Sequence, residues 1–236
     1  MIRRKSNLMK LVTHLLLLCI FTTLHAQKSK ITTINLKKGE VFDLLLATRK
    51  PDTQEAIKEY FKKAVSVAKT KGYRGVYSNG IASYTLGNFQ PKSIIFGQWP
   101  NLKNRLDFID LIETAVPDFH ERRRQIFSAF FLTFWEVQQD LNFSIHKDKY
   151  TIVTAFWKKD SKFDSFKKRW NQIIKSYKGQ ELVSFSNGMS PFGYSYNPDY
   201  LVITEFNNEA DFNSFQKNTK NFEYSGVENV QQLVIK

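Results

Sequence analysis

Phe127-Ser128-Ala129-Phe130-Phe131-Leu132-Thr133-Phe134-Trp135 carries the reading of the fold. Its length and its wealth of aromatic residues mark a β-strand. Side chains alternate across a strand, so Phe127, Ala129, Phe131, Thr133 and Trp135 share one face. Ser128, Phe130, Leu132, Phe134 and Glu136 share the other. Both faces are mostly apolar, and a sheet built from such a strand must be covered on both sides.

Upstream, Val41-Phe42-Asp43-Leu44-Leu45-Leu46-Ala47 is a second strand of the same buried type. Pro51-Asp52-Thr53 supplies a cap, and Ile57, Tyr60, Phe61, Ala64, Val65 and Ala68 follow at helical spacing up to the stop at Lys71-Gly72. Gly75 to Ile81 and Lys92 to Trp99 read as two strands around a reversal at Gly87-Asn88. Leu102, Leu106, Ile109 and Ile112 then define an apolar helix face, ended near Pro117. The order is βαββαβ, the ferredoxin-like unit.

Downstream, the same order returns. Ser78-Asn79-Gly80 recurs as Ser186-Asn187-Gly188 at an offset of 108, and Pro91 and Trp99 fall on Pro198 and Phe206 at 107. The first helices align at 109, setting Phe61 on Trp170 and Ala68 on Tyr177. The expected organisation is a basic flexible lead-in over 27–39, a first repeat over 40–138, a linker over 139–148 and a second repeat over 149–236. One such unit leaves a sheet face bare, and a second copy packed sheet to sheet covers it. The fold class is therefore α+β, two tandem ferredoxin-like units packed sheet to sheet.

The repeated order, together with Trp99-Pro100-Asn101-Leu102 at the entry to an acidic helix ending near Glu113, resembles the dimeric α+β barrel superfamily, which includes the antibiotic-biosynthesis-monooxygenase-like domains. Members of that group usually pair two chains to close the barrel, so the resemblance implies a fused version, a pseudo-dimeric α+β barrel, acting as a monomeric pseudo-dimer or as a homodimer. It also implies a choice among cofactor-independent oxygenases, haem-handling enzymes and domains with no assigned reaction. In haem-degrading relatives the pattern adds an Asn on the first strand and a His on the second helix. Here the first strands read Phe42-Asp43-Leu44-Leu45 and Tyr150-Thr151-Ile152-Val153, and no His lies between Trp99 and Pro117.

The chain has 236 residues with a formal charge of +13, 15% aromatic content and one cysteine. That aromatic content excludes a disordered tail, and a single thiol excludes a disulfide scaffold. Arg3, Arg4, Lys5 and Lys10 precede an apolar run from Leu11 to Phe21, and Ala26 offers a small residue before a cleavage point. Residues 1–26 thus read as a signal peptide, too short in its apolar run for a membrane span. A lipid anchor at Cys19 lacks the small residue that should precede it, since Leu18 stands there. The expected protein is exported, periplasmic or extracellular, with no membrane anchor after processing. Removing the peptide lowers the charge to +9 and takes away the cysteine. The remaining excess is spread as lysines between apolar helix positions, without the clustered bases and stacking aromatics of a nucleic-acid binder.

Candidate site residues are few. Trp99 is the family-matched position, with a core aromatic as its plainer role. His120, in Asp118-Phe119-His120-Glu121-Arg122-Arg123-Arg124, could act as a base or bind iron, although a solvated charged turn or helix end explains it more simply. Arg122 and its neighbours could hold an anion. Asn79 and Asn187 could form a paired polar cleft, although a bend tolerant of positive φ accounts for both. His146 has no partner pattern. Carboxylates and histidines show no metal-ligand spacing, and no cofactor is expected. The functional expectation is a small apolar or aromatic ligand bound between sheet and helices, or an interaction module. The alternative is a cofactor-independent monooxygenase or a haem-handling enzyme.

Overall fold

The structure, a computed structural model, describes residues 31–235. The targeting segment expected over 1–26 lies outside the described residues. Two βαββαβ units follow one another. The first comprises β2 (Val41–Arg49), α1 (Gln54–Thr70), β3 (Arg74–Leu86), β4 (Ser93–Trp99), α2 (Leu102–Ala115) and β5 (Phe127–Glu136). It carries an extra helix, α3 (Phe119–Ile126), just before β5. The second comprises β7 (Tyr150–Lys158), α4 (Phe163–Ser176), β8 (Gln180–Ser186), β9 (Tyr200–Phe206), α5 (Glu209–Thr219) and β10 (Val227–Ile235).

Each unit has the 4-1-3-2 strand order of the ferredoxin-like arrangement, and all pairings are antiparallel. The two sheets face each other and also join edge to edge, giving the order β5-β2-β4-β3-β10-β7-β9-β8. Residues Leu86 to Ile81 of β3 run along Gln232 to Ile235 of β10. The opposite seam, between β5 and the end of β8, is closed by a single bridge in which Phe134 and Met189 exchange backbone hydrogen bonds of 2.9 and 2.8 Å. The interior is a shared apolar core, with the rings of Phe42 and Phe185 stacked across the halves at 4.7 Å. On β2 the even residues Phe42, Leu44 and Leu46 fill that interior, and Asp43, Leu45 and Ala47 turn outward to the helices.

The lead-in and the linker are corrected. The stretch expected as mobile over 27–39 contains strand β1 (Ile31–Leu36), and the expected linker over 139–148 contains strand β6 (Leu141–His146). The two pair antiparallel from Ile31↔His146 to Leu36↔Leu141, an isologous contact about the pseudo-twofold. Ile34, Leu36, Phe143 and Ile145 bury their side chains in the shared core, which is why basic flanks did not prevent order here.

The register of the duplication is corrected as well. Asn101 and Asn208 cap α2 and α5 identically, each side chain accepting from the backbone N–H three residues on, so offset 107 holds there. The first helices match at 106, not 109. The C-cap residues Lys71 and Tyr177 both bond back to the carbonyl three residues earlier, and the buried series Tyr60, Ala64, Ala68 falls on Phe166, Trp170, Ile174. The apolar face expected on α2 is rotated: Leu106 is 44% exposed, whereas Arg105 is 2% exposed.

Candidate functional site

A cavity of about 90 Å³ lies between the outward face of the first sheet and helices α1, α2 and α3. Its existence follows from the register. Ala64 and Ala68 present only methyl groups, where the second half places Trp170 and Ile174 against Phe212 and Phe215. The second half is filled by its own aromatics, including Phe222 and Tyr224 on the segment that replaces α3.

Two arginines stand in the first-half cavity. Arg105 enters from α2 and donates from Nε to Asp43 Oδ1 at 3.0 Å, while Trp99 donates from Nε1 to Asp43 Oδ2 at 2.9 Å. Its guanidinium also lies over the rings of Phe134 and Trp99, at 4.8 and 5.1 Å. Burial pushes the Asp43 carboxyl upward, against the pull of Arg105 and the Trp99 N–H. The matching positions of the second half are Ile152 and Phe212, so this polar group belongs to one half alone.

Arg123 enters from α3, 9% exposed, with its guanidinium 4.2 Å from the ring centres of both Phe119 and Phe130. It donates from Nε to the Tyr60 hydroxyl at 3.1 Å and from Nη1 to the Tyr194 hydroxyl. Burial pushes both phenols above the ordinary tyrosine range, with Arg123 pulling the other way. Tyr194 comes from the second half, on the segment between β8 and β9. Phe192 on the same segment stands at the cavity mouth, 42% exposed and held at φ 60.

The expected site residues divide. Trp99 lines the cavity and is also a packed core aromatic, its ring 4.9 Å from Tyr73 and 5.0 Å from Phe108. His120 sits at the N-terminal end of α3 and is turned away from the cavity: Nε2 lies 2.8 Å from Glu113 and the ring packs edge-on to Phe192 at 4.7 Å. Arg122 points outward to Asp118 at 2.5 Å and Glu59 at 3.8 Å, and the arginine of this run that lines the cavity is Arg123 beside it. The signal was present in the periodicity, since Phe119, Arg123 and Ile126 share the buried face of α3. Asp43, a lone charge in an apolar strand, was a second signal.

Asn79 and Asn187 form no paired cleft. Asn79 lies within continuous β3, bonded to the Tyr77 hydroxyl and its neighbour Gly80, whereas Asn187 ends β8 at φ 58. A bend therefore accounts for the second triplet only. His146 has a partner after all, since its Nδ1 is 3.0 Å from buried Glu205, which Lys149 also reaches.

Comparison with protein-family models gives no match, and none is found among the curated proteins. Among solved structures, the chain is similar to an anthrone oxidase-like protein at 13% identity, covering 86% of this chain and 94% of that one with a TM-score of 0.50. The fold is the dimeric α+β barrel. A single-substitution variant of chlorite dismutase from Candidatus Nitrospira defluvii is also similar, at 9% identity over 85% of this chain and 92% of that one, with a TM-score of 0.49. In the present barrel, Phe166, Trp170, Phe212 and Phe215 pack between the sheet and helices of the second half, and the first half keeps the cavity.

Haem, one of the groups that the resemblance seen in the sequence implies, does not fit the residues lining this cavity. The cavity offers about 90 Å³ and no imidazole or thiolate among its lining residues, and both described histidines are engaged elsewhere by carboxylates.

Proposed function

We propose that this chain is an exported, monomeric pseudo-dimer that binds a small aromatic molecule in the cavity of its first half. The observation that carries this reading is the asymmetry between the halves: Ala64 and Ala68 leave space where Trp170 and Ile174 fill it. An aromatic-walled recess between sheet and helices, with a few convergent polar groups, has the composition of a ligand site. Its present volume of about 90 Å³ is below the roughly 150 Å³ that holds a benzene ring in a dry engineered cavity. A ring-sized ligand therefore enters as Phe192 and Tyr194 give way at the mouth. Export rests on the basic, apolar and small-residue order of residues 1–26.

Calorimetric titration with phenol and benzyl alcohol tests the binding. Saturable binding that Ala68→Ile abolishes is expected. Absence of saturable binding to the unaltered chain would overturn the reading.

The arrangement around Arg123 favours a second reading as well. A guanidinium that already holds a phenolic oxygen would stabilise a phenolate, the activated form of an aromatic substrate that reacts with oxygen without a cofactor. Oxygen consumption with quinols, absent in Arg123→Met, is the expected sign of such a monooxygenase; no consumption by the unaltered chain removes this reading and leaves the binding role.

A further inference from the structure

We infer that the ligand of this cavity is an anion, an aryl carboxylate or a phenolate, whose oxygen takes the place on Arg123 now held by the Tyr194 hydroxyl. The inference rests on the cavity being a ligand site, as proposed above.

The charge count points to it. Two guanidinium groups reach the cavity, and among the described residues Asp43 is the only carboxylate that pairs with either. Asp43 belongs to Arg105. Arg123 has two phenol oxygens and the faces of Phe119 and Phe130. Neutral hydroxyls accept its hydrogen bonds without cancelling its charge, and a buried cation without a counter-ion is unfavourable. Arg105, whose charge Asp43 answers, adds an unused donor: its Nη1 is buried and has no hydrogen-bond partner.

Folding alone does not require this charge. The second half puts Ile152 and Phe212 where the first puts Asp43 and Arg105, and it has no counterpart of α3 to carry an Arg123. The positive excess is therefore an addition to a fold that closes without it.

The place for the anion is marked by Tyr194. Its phenol comes from the opposite half and puts an aryl ring and an oxygen where the ligand's would sit. Phe192, two residues earlier, is a bulky side chain held in the left-handed region, a conformation that persists only when the surroundings impose it. A carboxylate matches the planar donor fork of arginine better than one hydroxyl does, so it competes well for the position.

Calorimetry of the full chain with benzoate and with its neutral isostere benzamide provides the test. Benzoate is expected to bind at least tenfold more tightly. Tyr194→Phe, which removes the competing hydroxyl, is expected to tighten benzoate severalfold and to change benzamide little. Arg123→Met should bring benzoate down to the level of benzamide; if that variant does not fold, the unaltered chain and Tyr194→Phe decide the matter. Affinities of the two probes within threefold of each other in both proteins would overturn the charge assignment and leave the cavity reading intact. No saturable binding of either probe, in the unaltered chain or in the roomier Tyr194→Ala, would overturn both.

Discussion

Ala68 and Ile174 hold the same place in the two halves, each three residues before the C-cap of its helix and each accepting the cap N–H at its carbonyl. One is a methyl group beside a cavity, and the other is buried in a filled aromatic cluster. Copying the second half into the first should therefore close the site. Ala68→Ile is expected to remove ligand binding and to shift stability by no more than the 1–3 kcal/mol typical of overpacking, about the range for an added apolar side chain. Ligand titration alongside thermal unfolding checks this, and unchanged binding would show that the cavity is not the site.

The Asp43–Arg105 pair should respond asymmetrically to single and double replacement. Asp43→Ala leaves a buried guanidinium without its carboxylate, a change expected to cost about 3–5 kcal/mol. Replacing both with their second-half counterparts, Asp43→Ile with Arg105→Phe, should recover most of that loss. Denaturant unfolding of the single and the double variant makes the comparison; equal losses in the two would contradict it.

Among the described residues, the seam between β5 and the chain just after β8 has one backbone bridge, Phe134 with Met189, beside side-chain bonds from Thr133 and Ser190. Met189→Pro removes the N–H that donates to the Phe134 carbonyl at 2.8 Å. Faster amide exchange and proteolysis across 187–199 are expected, with the β3–β10 seam still protected. Uniform loss of protection in both seams would show that the barrel opens as one unit.

Burial raises the phenols of Tyr73 and Tyr224 to about 12, from an unfolded value near 10. The folded chain thus holds these protons more tightly than the unfolded one. Their contribution is fully present below pH 10 and is lost as pH rises from about 10 to 12. Urea midpoints should fall steadily across that interval, in step with the ultraviolet tyrosinate signal. A midpoint flat to pH 12 would argue against burial of these rings.

Much of this protein was legible from periodicity. The two-faced strand at Phe127–Trp135, the βαββαβ order and its repetition follow from where apolar side chains recur, because a sheet or helix must bury its apolar face whatever its neighbours are. The strand nature of β1 and β6 was hidden by short alternation among lysines, and their burial comes only from pairing with each other across the pseudo-twofold.

The site was legible in part. Trp99 lines it, and the Arg122–Arg124 run contains the arginine that faces the cavity, Arg123, without marking it out from Arg122, which faces Asp118. Arg105 was concealed because a buried arginine breaks the apolar pattern that marks a buried face. Its position depends on meeting Asp43, 62 residues earlier in the chain. By itself, then, the sequence determined the elements of the two βαββαβ units, their order and their duplication, all consequences of local side-chain spacing. Only the tertiary structure decided which half keeps a cavity and which cations face it. A three-residue difference in helix register exchanges alanine for tryptophan, and a charge is placed by partners that spacing does not reveal.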